Sequence, residues 1–185
     1  MVKQSMNNDF ILVIPARLES TRLQKKLLIK IKGQTIIQRT YNQALKAVKD
    51  KEKIIIATDS LDIQDHCKNF GARTLLTSKK CLTGTDRVAE VAENIKASQY
   101  INLQGDEPLF PSEQLEIFIN NVIKDNQKIY TAITLIKDER DFRNYSIPKM
   151  VFSNSMKLLY SSRAPIPASK KNVFKEAYKH ICVYA

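Results

Sequence analysis

The sequence predicts an open α/β sheet with helices on both faces, and three observations predict it. Short continuous apolar runs rich in Ile and Val, "FILVI" and "KIIIAT", read as strands buried on both faces of a largely parallel sheet. Stretches with apolar residues at helical spacing lie between such runs. The two kinds of segment alternate through most of the chain, which is the pattern of successive βαβ units.

Taken in order, the first strand spans residues 10–14. In "TIIQRTYNQALKAV" Ile36, Ile37, Tyr41, Ala44, Leu45 and Val48 fall on one helical face, with Gly33 supplying a break and Thr35 a cap. "KIIIAT" is the next strand. Ser60 caps a short helix through about Phe70, Gly71 ends it, and "RTLLT" is a strand. "DRVAEVAENI" is a helix with Val88, Val91, Ala92 and Ile95 at i, i+3, i+4 and i+7, and "YINLQ" alternates into another strand. The helix "SEQLEIFINNVI" puts Leu115, Phe118, Ile119, Val122 and Ile123 on one stripe, and "IYTAITLI" is a fifth strand. From Lys137 onward "PKMVFS", "KLLYSSRAPI" and "HICVYA" read as strands without full helices between them. No internal repeat, linker or low-complexity tract is visible.

A chain of 185 residues with 43% hydrophobic content is long enough for one domain with a sizeable core. Its net charge of +11 raises nucleic acid as a partner. The lysines, however, punctuate nearly every loop, and no helix interleaves basic residues with aromatics, so a solvated Lys-rich surface accounts for most of the excess and no nucleic acid is expected. The apolar run before Pro15 and Arg17 is too short for a signal peptide or a membrane span, which predicts a cytoplasmic protein without membrane insertion. Cys67, Cys81 and Cys182 are odd in number and lack CxxC spacing, so they are expected as reduced thiols.

In open α/β sheets ligands bind at the carboxyl ends of the strands. The first such end, "ILVIPARLESTRLQKKLL", runs from a core strand straight into Arg17, Arg22, Lys25 and Lys26. With the backbone turning at Pro15, Arg17, Arg22 and Lys26 can converge on a polyanion such as a triphosphate, and Ser20 and Thr21 can donate as well. The plainer alternative is an exposed basic loop. Neither GxxxxGK[ST] nor GxGxxG is present, so phosphate binding has to come from side chains. In "INLQGDEPL" Gln104 ends a strand, Gly105 turns the backbone, and Asp106 and Glu107 project before Pro108, an arrangement suited to Mg²⁺ held by one or two carboxylates plus phosphate oxygens. As an isolated motif it is also a polar turn. In "LTGTDRVAE" Gly84 and Thr85 open a helix whose free N–H groups suit an anion or a nucleotide edge, or else the segment is an ordinary cap with Asp86 supporting the dipole. The late segments "YSSRAPIPAS" and "YKHICVYA" carry Arg163, His180 and Tyr184. His180 alone reads as a core histidine, whereas an Arg before "APIP" points to a carboxylate partner.

Together "IPARLESTRL", "ATD", "TGTDRVAEV", "NLQGDEP", "YSSRAPIP" and "HICVY", in this order and spacing, resemble the CMP-Kdo synthetases, the 3-deoxy-manno-octulosonate cytidylyltransferases of lipopolysaccharide synthesis. The match runs over essentially the whole chain. Sialic acid cytidylyltransferases share the nucleotide-binding half but usually differ in the first loop. The resemblance implies a Rossmann-like nucleotide-diphospho-sugar transferase fold, three-layer α/β/α with a mixed sheet, that joins CTP to Kdo with Mg²⁺ as cofactor, in a homodimer. It implies that Arg17, Arg22 and Lys26 hold the triphosphate while the backbone of Pro15, Ala16 and Arg17 faces the cytosine. Thr83, Gly84, Thr85 and Arg87 form the second nucleotide loop, Asp106 is a Mg²⁺ ligand and a catalytic residue with the basic side chains, and Gln104, Arg163, His180 and Tyr184 contact the sugar.

Two local departures accompany the resemblance. Where the family usually reads "RLPGKPL" this chain reads "RLQKKLL", so Gln24, Lys25 and Leu27 replace proline, glycine and proline around Lys26, which predicts a looser or differently shaped loop. Cys182 stands where glycine is common. The family pattern also continues past the position of Ala185 with a second metal-binding aspartate in a "DTPEDL" type motif, so the expectation is a single nucleotidyltransferase domain over residues 1–185 lacking that segment. Other readings are a CTP-binding remnant without turnover, a cytidylyltransferase for another acidic sugar, and a basic nucleic-acid-binding protein.

Overall fold

Every residue of β1 (Phe10–Ala16) is buried, as a strand covered on both faces must be. In the computed structural model, which describes residues 9–18, 23, 25–124, 129–171 and 173–185, this strand is central to the first of two compact units. That unit comprises the residues up to Tyr130 together with Val183–Ala185, and the second comprises Thr131–Cys182. Ser20, Thr21, Arg22 and Gln24 of the basic loop lie outside the described residues.

After β1 a 3-10 turn, Lys26–Leu28, leads into a small hairpin of β2 (Lys30–Ile31) and β3 (Gln34–Thr35), with Gly33 at φ 83° in its turn. Thr35 caps α1 (Ile36–Val48), its hydroxyl accepting from the Gln38 N–H. β4 (Ile54–Thr58) is buried throughout, and α2 (Leu61–Lys68) starts at Ser60, whose hydroxyl accepts from the Ile63 N–H. Gly71, at φ 79°, takes the left-handed turn after α2 before β5 (Arg73–Leu76). Then come α3 (Gly84–Asn94), β6 (Gln99–Leu103) and α4 (Ser112–Lys124). The periodic run alone predicts α3 from residue 86, but it begins at Gly84 because Thr83 and Asp86 cap each other reciprocally.

Four strands of this unit pair in parallel, in the order β5-β4-β1-β6. The chain therefore steps outward from β1 through β4 to β5 and then returns to the other side of β1. Such a reversal opens a crevice at the carboxyl ends of the two strands that flank it, here β1 and β6. Alternate residues of the strands face opposite layers. Ile11, Val13, Ile55 and Ala57 pack with Val88 and Val91 of α3. α1 and α4 pack on each other and contact β1 and β6, covering the opposite face. The result is the predicted sheet with helices on both sides.

The second unit contains β7 (Thr131–Leu135), α5 (Glu139–Arg143), β8 (Lys149–Phe152), β9 (Leu158–Ser162) and most of β10 (Tyr178–Tyr184). β8 pairs antiparallel with both β9 and β10, and β7 pairs with β10. Its small core is Ile136, Phe142 and Ala177, with Phe174 packed against them. The final residues of β10, Val183 and Tyr184, belong to the first unit, where they pair antiparallel with Leu103 and Asn102 of β6 and make that sheet mixed.

None of Cys67, Cys81 and Cys182 forms a disulfide, and burial pushes the Cys67 thiol up to about 12. Among the described residues no helix is long and apolar enough to cross a membrane.

Gly105 follows β6 at the crevice, and a Cβ there would lie 2.8 Å from the Pro15 carbonyl oxygen and 3.2 Å from the Ile37 side chain. Backbone cannot yield as a flexible side chain does. Gly105→Ala is therefore expected to cost about 1–3 kcal/mol of overpacking, read as a lower urea midpoint with an unchanged m-value.

Candidate active site

The reversal between β1 and β6 carries a pocket of about 310 Å³ lined by Pro15, Ala16 and Arg17 at the end of β1, by Gln104 after β6, and by residues 81–84 and Arg87 around the start of α3. Six separately predicted residues of the nucleotide site, Pro15, Ala16, Arg17, Thr83, Gly84 and Arg87, thus line one cavity. Cys81 and Leu82 line it too. Nothing in their residue types marks them, and only their place before the helix could have.

Glycine at 84 is a consequence of close approach. A Cβ there would come 3.1 Å from Cγ of Pro15 and 3.2 Å from Nε2 of Gln104, so a larger residue requires these side chains to give by a few tenths of an ångström. The next residue is tied as well. The Thr85 and Tyr184 hydroxyls are 2.6 Å apart, which joins a predicted nucleotide residue to a predicted sugar residue. Gln104 is oriented from below, its Nε2 donating to Oδ1 of the buried Asn102 at 3.0 Å.

Arg87, which also lines the pocket, holds the structure together. It is 3% exposed, and its guanidinium donates to Oδ2 of Asp59 at 2.6 Å, to Oγ1 of Thr77 at 2.6 Å and to the Ser78 carbonyl at 3.3 Å. These partners sit just past the ends of β4 and β5, so Arg87 fastens the first turn of α3 to the strand ends. The motif "ATD" contains Asp59, but its partner lies 28 residues away and could not be paired from spacing alone.

Arg17 is different. It is exposed at the pocket, and no acceptor among the described residues takes its guanidinium. Lys26 and Asp106, 80 residues apart, form an ion pair with Nζ 2.6 Å from Oδ2, both side chains being about two-fifths exposed. Asp106 is the residue that could hold a hard cation. No group of three or more His, Cys, Asp or Glu side chains among the described residues forms an all-protein cage, and a lone strand-end carboxylate fits the way Mg²⁺ is held together with substrate phosphates. At Lys25, just before Lys26, the backbone takes the left-handed conformation at φ 50°, and the Lys25 carbonyl accepts from the Leu28 N–H.

The remaining predicted residues lie in the second unit. Arg163 is exposed, and its Nη1 donates to the carbonyls of Tyr145 at 3.3 Å and Ser146 at 2.8 Å. His180 is half-buried in β10 with its N–H donating to the Pro148 carbonyl, and burial lowers its pKa. Arg22 lies outside the described residues.

The sequence matches the family model described as cytidylyltransferase over residues 11–185. It is 37% identical over 192 residues to the 3-deoxy-manno-octulosonate cytidylyltransferase of Protochlamydia amoebophila, covering 100% of this chain and 74% of that protein. Identity to the protein of the same name from Francisella tularensis subsp. tularensis is 41% over 184 residues, covering 94% and 73%. The solved structure of CMP:2-keto-3-deoxy-manno-octonic acid synthetase complexed with CTP aligns with a TM-score of 0.86 at 31% identity, over 95% of this chain and 72% of that one. A cytidylyltransferase from Leptospira borgpetersenii, at 21% identity and a TM-score of 0.59 over 66% and 52% of the two chains, shares the fold.

The two ion pairs of the first unit should differ in their effect on folding. Arg87→Leu strands the Asp59 carboxylate in a mostly buried place and is expected to cost about 3–5 kcal/mol in urea unfolding. Lys26→Met breaks a solvent-facing pair and should cost no more than about 1 kcal/mol. Equal losses would contradict the assignment of Arg87 as the structural clamp.

Proposed function

The chain belongs to the cytidylyltransferase family, and from that premise we propose that it transfers CMP from CTP to 3-deoxy-manno-octulosonate (Kdo), giving CMP-Kdo and pyrophosphate for lipopolysaccharide assembly. The observation that carries this reading is the pocket at the β1/β6 reversal, with the uncommitted Arg17 guanidinium at its wall. A nucleotide there has its base against the backbone of residues 15–17 and the α3 terminus. Its phosphates extend toward Arg17, Lys26 and, in the basic loop, Arg22.

In the reaction the anomeric hydroxyl oxygen of the sugar bonds to the α-phosphorus, its proton passes to solvent, and the bond to the β-phosphate oxygen breaks to release pyrophosphate. Arg17 and Lys26 stabilise charge that develops on the phosphate oxygens, more strongly in the transition state than in the ground state. Asp106 would hold Mg²⁺, which neutralises triphosphate charge when bound. Gln104 and Tyr184 orient the sugar, and the family resemblance assigns Arg163 and His180 to the sugar as well, the Arg163 fork pairing with the acid. Thr85, tied to Tyr184, links nucleotide placement to sugar placement. Both substrates are small and charged, and the reading places the enzyme in the cytoplasm as a homodimer.

Purified chain with CTP and Mg²⁺ is expected to release pyrophosphate only when Kdo is added. Release that Kdo does not stimulate, or none with any acidic sugar, would overturn the assignment. Asp106→Asn should keep its fold and its binding of metal-free CTP, lose the Mg²⁺-dependent tightening in isothermal titration, and slow turnover by about 100-fold or more. Unchanged Mg²⁺ dependence would refute Asp106 as the metal ligand.

A further inference from the structure

β8 opens with a lysine where its burial calls for an apolar residue. Lys149 is fully buried within the second unit. No carboxylate accompanies it among the described residues. Its Nζ instead donates to three backbone carbonyls, those of Asn144 at 2.8 Å, Ile147 at 2.9 Å and Arg163 at 2.8 Å, which uses its full donor capacity. Arg163 completes the pattern, because its Nη1 takes the two carbonyls in between, Tyr145 and Ser146. Four consecutive carbonyls are thus held by two cations, and one of those cations also holds the backbone of the other.

We propose that Lys149 is a positioning residue for the sugar: by fixing the 144–147 turn and the Arg163 carbonyl, it presents the Arg163 guanidinium to the carboxylate of the acidic substrate in one orientation. This rests on the reading of Arg163 as the partner of the acid. Among the described residues only Nη1 of Arg163 is engaged, which leaves the Nε–Nη2 edge, the geometry that receives a carboxylate with two parallel hydrogen bonds. An exposed arginine on a long stem ordinarily samples many rotamers. Here it is attached at two points, at its own carbonyl by Lys149 and at its Nη1 by the turn that Lys149 also holds. An apolar side chain would fill the same buried place without the desolvation that lowers the pKa of Lys149, so what the ammonium adds is geometry rather than stability.

A double-mutant cycle on the whole chain tests this, with KM for Kdo and for CTP measured separately. Lys149→Met is expected to raise KM for Kdo on the order of 10-fold or more while leaving KM for CTP within about twofold, because the misplaced group serves only the sugar. In an Arg163→Ala background the same change should have no further effect on KM for Kdo. Equal effects on both substrates, or the same Kdo effect with and without Arg163, would overturn the link. An Arg163→Ala enzyme with unaltered KM for Kdo would overturn the premise instead, and the two failures are distinct. Lys149→Gln, which keeps one amide donor, should fall between the parent and Lys149→Met. Should neither variant fold, the unmutated enzyme decides: before sugar is added, the Arg163 Nε–H order parameter is expected above about 0.6, and a lower value contradicts positioning.

Discussion

The first unit depends on the buried contact between Arg87 and Asp59. Isolated from the strands, the start of α3 would be free to slide, since a helix terminus is held by little beyond its own cap. With Arg87 locked onto Asp59 and Thr77, that terminus is fixed against the ends of β4 and β5. Gly84 can then fit within van der Waals contact of Pro15 and Gln104, and Thr85 can meet Tyr184. A buried ion pair adds little net stability over an apolar pair of the same size, but it admits one geometry and rejects its neighbours. The pocket is the consequence of that geometry.

The basic excess of the chain divides by whether its charges are committed. Arg87 and Lys149 are buried and engaged, and their charge is used to hold backbone and strand ends in place. Arg17 is exposed and unengaged by the described residues, so its donors are available to a polyanion. Lys26 is intermediate. Its pair with Asp106 is short but solvent-facing, and such pairs are weak enough to exchange partners when a more highly charged ligand arrives. On the proposed reading a nucleotide with its metal is such a ligand, dividing Lys26 to phosphate and Asp106 to the cation.

Much of this was legible in the chain. The caps at Thr35 and Ser60, the strands of Ile and Val, and the carboxylate after "NLQG" are local signals, each decided by residues within a few positions of one another. What was illegible is long-range in sequence or short in length. Arg87 reads as a ligand contact in "TGTDR", because only tertiary structure brings Asp59 and Thr77 to it. Lys149 gives no signal in "PKMVFS", where a lysine beside a proline looks solvated. The five-residue α5 is shorter than the window that periodicity needs, and β2 and β3 are shorter still. Where the resemblance expects a glycine, Lys25 takes the left-handed conformation itself, at a cost of about 1–2 kcal/mol, and most of the loop before it lies outside the described residues.

The central claim is that the pocket between the ends of β1 and β6 receives the cytidine nucleotide. Crystals of the chain grown with CTP test it most directly. The account predicts a pyrimidine ring against the backbone of residues 15–17 and beside Gly84, with the triphosphate running past Arg17 and Lys26 displaced from Asp106 toward phosphate. A nucleotide bound elsewhere, or one bound here with the Lys26–Asp106 pair intact and Arg17 turned to solvent, would contradict it.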